Sequence, residues 1–150
     1  MSGQDPFGDI AFMRRAIRLA QPRVGSTGDN PAVGCVLVRR GMVVAEAATG
    51  LGGRPHAEEQ ALEAAGHGAR GAEAFVTLEP CAERSSGAPS CSQRLVEAGV
   101  TRVVFACPNP HGLSGGAGPA RLRAAGVEVE EGLLASEAER LYRGFLDGLA

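Results

Sequence analysis

The chain has 150 residues, a formal net charge of −2 and 44% hydrophobic residues, which suits one soluble domain over residues 1–150 with a core of its own. So slight an acidic balance offers no general attraction to nucleic acid or to an anionic membrane, and no apolar run approaches the roughly 20 residues that span a bilayer. All 15 basic residues are arginine, which excludes a lysine Schiff base, a pyridoxal phosphate anchor and a Walker A lysine.

Asp5-Pro6 reads as an N-cap followed by proline at the first helical position, and Ile10, Met13, Ile17 and Ala20 recur at helical spacing. Residues 6–21 are therefore predicted as an amphipathic helix. A loop rich in Gly, Ser and Asp covers 24–30. The unbroken apolar run 32–38 predicts a strand buried on both faces, Arg40-Gly41 a turn, and 42–47 the antiparallel return strand. Pro55 is expected to open a helix with His56 and Glu58 in its first turn and a stop near Gly66–Gly68. Strands are then expected at 74–78, 102–106 and 127–129, and helices at 91–98, 119–125 and 136–149, with loops over 79–90 and 108–118. The order α-β-β-α-β-α-β-α-β-α predicts the α/β class: a mixed five-stranded sheet with helices on both faces, a three-layer α/β/α sandwich.

Three metal-ligating side chains fall at the junctions of these elements: His56, Cys81 and Cys91. One imidazole and two thiolates balance the charge of Zn²⁺ and leave its fourth position open, which is the pattern of a catalytic site rather than a structural one. Glu58, two residues after the histidine, is the carboxylate such a site needs to carry protons. His-x-Glu followed by Pro-Cys and a later Cys resembles the signature of zinc-dependent nucleobase deaminases, with the second cysteine delayed to position 91. Such a site supports hydrolysis of an amidine-like ring carbon with loss of ammonia. Each fragment alone is common by chance; the ordered set at strand–helix junctions is specific. Dipoles at the two helix N-termini are expected to favour ionised Cys81 and Cys91.

The other candidates have plainer readings. Cys35 belongs in a core strand, Cys107 packs at a strand end, His67 caps a helix C-terminus and His111 sits in a solvated loop. Trp is absent and Tyr142 is the single tyrosine, so the stacking platform of a single-stranded nucleic-acid reader is poorly supplied. The first residues, Met1–Asp5, lack both a basic start and an apolar stretch, and a cytoplasmic location is expected.

Asn30-Pro31-Ala32-Val33-Gly34, Pro55-His56-Ala57-Glu58, Thr77-Leu78-Glu79-Pro80-Cys81, Pro108-Asn109-Pro110, the stretch Arg121–Val129 and Arg143-Gly144-Phe145 together resemble the pyrimidine deaminase domain of the riboflavin-biosynthesis deaminase/reductases. This is a branch of the cytidine deaminase superfamily. The resemblance implies the cytidine deaminase-like fold, His56, Cys81 and Cys91 as zinc ligands, Glu58 as proton shuttle, and Asn30 as a substrate contact; Arg84 and Asn109 are further expected substrate contacts. It implies a small-molecule substrate, a diaminopyrimidinone ribosyl phosphate, together with assembly as a homodimer or higher homo-oligomer and a separate reductase. The segment between the two cysteines departs from the family pattern: it is one residue longer, Glu83 replaces a histidine, Ala88 follows Gly87 where the family has a basic residue, and Arg84 is its only cation. Cys107 also stands where the family has an aspartate before Pro-Asn-Pro. Two further readings follow from the altered segment. One is a stand-alone deaminase of a related heterocycle; the other is a non-catalytic zinc protein in which Glu83 closes the site.

Overall fold

The computed structural model describes residues 6–81, 90–108 and 116–147. In chain order the elements are α1 (Pro6–Ala20), β1 (Gly34–Arg39), β2 (Met42–Ala48), α2 (Ala57–Ala65), β3 (Glu73–Leu78), α3 (Cys91–Glu97), β4 (Arg102–Cys107), α4 (Ala117–Ala124), β5 (Glu128–Glu131) and α5 (Ala135–Asp147). Short 3₁₀ turns at 21–23, 51–53 and 66–69 join some of them. The order expected from the sequence is present throughout. Among the described residues, no helix is long and apolar enough to cross a membrane.

The strands form one sheet in the order β2-β1-β3-β4-β5. β1 is antiparallel to both β2 and β3, while β3, β4 and β5 run parallel. β2 and β3 share a direction, but β1 lies between them, so α2 carries the chain over β1 rather than between neighbours. The three inner strands are almost wholly buried. The two edges carry exposed positions, and β5 is mostly glutamate, which suits an edge that must not pair further.

The core follows from these faces. Met13, Ala16, Ile17 and Ala20 of α1 are buried with the apolar residues of β1, β3 and β4, and Phe12 stacks on Phe75 with ring centroids 5.4 Å apart. Gly34 permits the close seating of α1: a Cβ there would lie 1.9 Å from the Ala16 carbonyl oxygen. The Tyr142 hydroxyl, buried beneath α5, shares a 2.6 Å hydrogen bond with Thr77 Oγ1, which also accepts from the Gly34 N–H. Arg102, at the start of β4, is buried and donates to Asp9 of α1, Glu73 of β3 and Glu130 of β5 at 2.6–3.2 Å, with Glu128 at 3.3 Å from its Nε. One guanidinium thus fastens a helix to three strands at the end of the sheet opposite Cys81.

Several boundaries differ from expectation. α2 begins at Ala57, and His56 is its N-cap with extended backbone (φ −66°, ψ 154°), so Pro55 lies before the helix rather than at its first position. His67 lies past the end of α2, exposed in the 3₁₀ turn, and is no C-terminal cap of that helix. The first strand begins at Gly34 rather than 32, β5 runs on to Glu131, and α4 begins at Ala117 rather than 119.

Candidate active site

Glu79 and Pro80 follow the end of β3, and Cys81 comes next; Cys91 is the first residue of α3; His56 caps α2. These three points meet where the C-terminal ends of β3 and β4 face two helix N-termini, the place where open α/β sheets hold ligands. One potential ligand atom each from His56, Cys81 and Cys91 lies within 4.8 Å of the other two. His56 Nδ1 is 3.4 Å from Cys91 Sγ. The Cys91 N–H donates to Cys81 Sγ at 3.3 Å, and the Ser92 N–H donates to the Cys81 carbonyl at 3.1 Å. Cys81 is thereby held by the first amides of α3, which have no acceptor within the helix.

Local supports fix each side chain. The His56 N–H donates to the Glu59 carboxylate at 3.3 Å, and Glu59 in turn pairs with Arg94 of α3 at 3.7 Å. An acidic residue three places after an N-cap is a readable capping signal, though a histidine cap hides it. Ser90 caps α3 by accepting the Gln93 N–H. Glu79 is buried and accepts the Gly116 N–H at 2.9 Å, which ties the start of α4 to the Cys81 segment. Gly118 presses against that segment, since a Cβ there would lie 2.0 Å from the Pro80 carbonyl oxygen.

Glu58, in the first turn of α2, is only 4% exposed. Burial, more than any neighbouring charge, pushes its carboxyl up to about 7. The Cys91 S–H beside it draws the Cys81 thiol down to about 4, while Cys91 itself is pushed up, first by that same bond and then by burial.

Asn30 is half-buried and donates through Nδ2 to the Gly53 carbonyl at 3.0 Å, against the Gly50–Pro55 segment that leads into His56. Arg84, Asn109, Glu83 and His111 lie outside the described residues. Cys35 is fully buried in β1. The buried Cys107 thiol donates to the Ala135 carbonyl at 3.5 Å, and burial pushes it up to about 11. Both therefore have the packing roles expected of them.

Residues 8–107 match the cytidine and deoxycytidylate deaminase zinc-binding region. The chain belongs to this family. Over 138 residues it is 46% identical to the riboflavin biosynthesis protein RibD of Escherichia coli (strain K12), covering 92% of this chain and 37% of that one. The chain thus spans little more than a third of the length of that relative. It is 39% identical over 137 residues to the diaminohydroxyphosphoribosylamino-pyrimidine deaminase of Buchnera aphidicola subsp. Acyrthosiphon pisum, covering 91% of this chain and 92% of that one. Among solved structures, Acinetobacter baumannii RibD superposes with a TM-score of 0.90 at 44% identity, over 95% of this chain and 40% of that one. The cytidine deaminase-like α/β fold expected from the sequence is that of these deaminases.

Proposed function

We propose that this chain hydrolytically deaminates an amino-substituted pyrimidine carrying a ribosyl phosphate, the riboflavin-pathway substrate type after which its Buchnera relative is named, and releases ammonia. The observation that carries the reading is the convergence of one imidazole and two cysteine sulfurs on the same few ångströms, with the buried Glu58 alongside. That donor set suits zinc: nitrogen and sulfur ligands, three in number, with a fourth position left for the reaction. His56, Cys81 and Cys91 would hold the ion. Zinc, when bound, supplies a Lewis acid that acidifies water from ~15.7 towards ~7.

The remaining work falls to side chains. Glu58 takes a proton from the attacking water, and its buried carboxylate holds that proton beside the reacting carbon. The same carboxyl returns the proton to the departing amino nitrogen, and the hydroxyl's remaining proton passes to the adjacent ring nitrogen, so water and the amino compound become the ring carbonyl and ammonia. Glu59 and Ser90 keep the helix starts in place, and Asn30, Arg84 and Asn109 are the proposed ring and ribosyl contacts. We further propose a cytoplasmic homodimer or higher homo-oligomer, with a reductase acting on the amino-uracil product.

The test is paired. Glu58→Gln should lower ammonia release by about 10²–10⁴-fold while zinc content, read by metal analysis, stays at one per chain. Cys91→Ala should lose both zinc and activity. A Glu58→Gln protein of unchanged activity would refute the shuttle. A second reading, a different aminoheterocycle, is favoured by the single cation, Arg84, between Cys81 and Cys91. A screen of aminopyrimidine nucleotides and pterin-like bases decides between them.

A further inference from the structure

A ribosyl phosphate substrate needs a cation for its phosphate, and this inference rests on the reading that the substrate is of that type. Arg121 stands in the second turn of α4 with an exposed side chain, and its Nη1 donates to Ser90 Oγ at 3.4 Å. Ser90 is buried, caps α3 and immediately precedes Cys91. The helix that carries Arg121 is fixed to the site from its other end as well, through Gly116 on Glu79 and Gly118 on Pro80. Arg121 is therefore carried by an element seated on both cysteine-bearing segments.

Its electrostatic position is unusual for a cation beside this cluster. Arg94 faces Glu59 across 3.7 Å. Arg121 meets a neutral hydroxyl, and among the described residues no carboxylate pairs with it. Among the described residues a single hydroxyl occupies one of five guanidinium donors, which leaves a planar fork for a phosphate monoester. We infer that Arg121 binds the phosphate of the substrate and sets the preference for the ribosyl phosphate over the phosphate-free ribosyl compound.

The experiment compares kcat/KM for the aminopyrimidine ribosyl phosphate and its dephosphorylated counterpart in the zinc-loaded wild type, Arg121→Gln and Arg121→Lys. Losing one charge-assisted contact should lower the ratio of the two values about 10–100-fold in Arg121→Gln, mainly through KM, with part restored in Arg121→Lys. An unchanged ratio in Arg121→Gln overturns the inference, as does a wild type with no preference. A purely structural role through Ser90 would lower the thermal midpoint and both activities together and leave the ratio fixed, which also overturns it. A wild type that deaminates neither compound refutes the substrate reading itself. Calorimetric titration with ribose 5-phosphate then still decides Arg121: weaker binding by Arg121→Gln supports it, and equal binding by both proteins overturns it.

Discussion

Arg102 is one cation among four carboxylates, 5% exposed at the side chain, with Asp9 buried beside it. Its neighbours hold its guanidinium firmly charged, the Asp9 hydrogen bonds foremost. Removing it would strand Asp9 and Glu73 as close like charges with no counter-ion. Arg102→Met should therefore cost about 3–5 kcal/mol of unfolding free energy in a urea titration, and Arg102→Lys should recover little, because an ammonium cannot fork to several carboxylates at once. At this scale the sequence was most readable where a residue acts by its own chemistry. His56, Glu58, Cys81 and Cys91 stand out by type and spacing, and they lie together in the structure. Glu59, Glu79, Arg102 and Arg121 do not stand out, because each works through a partner in another element. Nothing in local sequence marks a glutamate that will meet an amide 37 positions later.

Among the elements, two glycines carry the tightest packing. Gly34 lets α1 lie on β1, and Gly118 lets α4 lie on the turn after β3. Alanine at either site meets a backbone oxygen at about half the normal contact distance, so both Gly34→Ala and Gly118→Ala should lower stability by about 1–3 kcal/mol. Their effects should then diverge. Gly118→Ala pushes on Pro80, next to Cys81, and should weaken zinc retention in a chelator competition more than its stability loss explains; Gly34→Ala, placed under α1, should not. Equal retention by the two variants would refute this division. The succession of elements was legible from apolar runs and Gly/Pro breaks, but their lateral order was not. Local pattern reveals the β1–β2 hairpin; that β3 takes the far side of β1, in antiparallel register with Cys35 opposite Val76, is a long-range choice. A hint was present in polarity, since the glutamate-rich 128–131 segment suits only an edge. The start of α2 was misplaced because Pro55 suits a first helical position, whereas His56 has the extended backbone of a cap.

For the molecule as a whole, the three proposed ligands lie on three separate segments of the chain and meet only in the folded chain. Zinc would thus bind the native state in preference to the unfolded one. At free metal a thousandfold above its dissociation constant, that linkage amounts to about 4 kcal/mol. Stripping the metal with a chelator should lower the thermal midpoint by on the order of 10 °C for a chain of this size, and readdition of zinc should restore it. A midpoint indifferent to chelation would contradict the proposed centre.

The pairing of Cys91 N–H with Cys81 Sγ and of Ser92 N–H with the Cys81 carbonyl closes the ends of the 82–90 segment upon each other. A loop whose ends are already joined gains or loses length at little entropic expense, about 0.6 kcal/mol per doubling. An added or deleted residue between Cys81 and Ser90 should therefore leave the two sulfurs where α3 holds them. In this architecture the proposed substrate contacts are free to drift, or to be grafted from a related protein, while the proposed hydrolytic centre stays fixed.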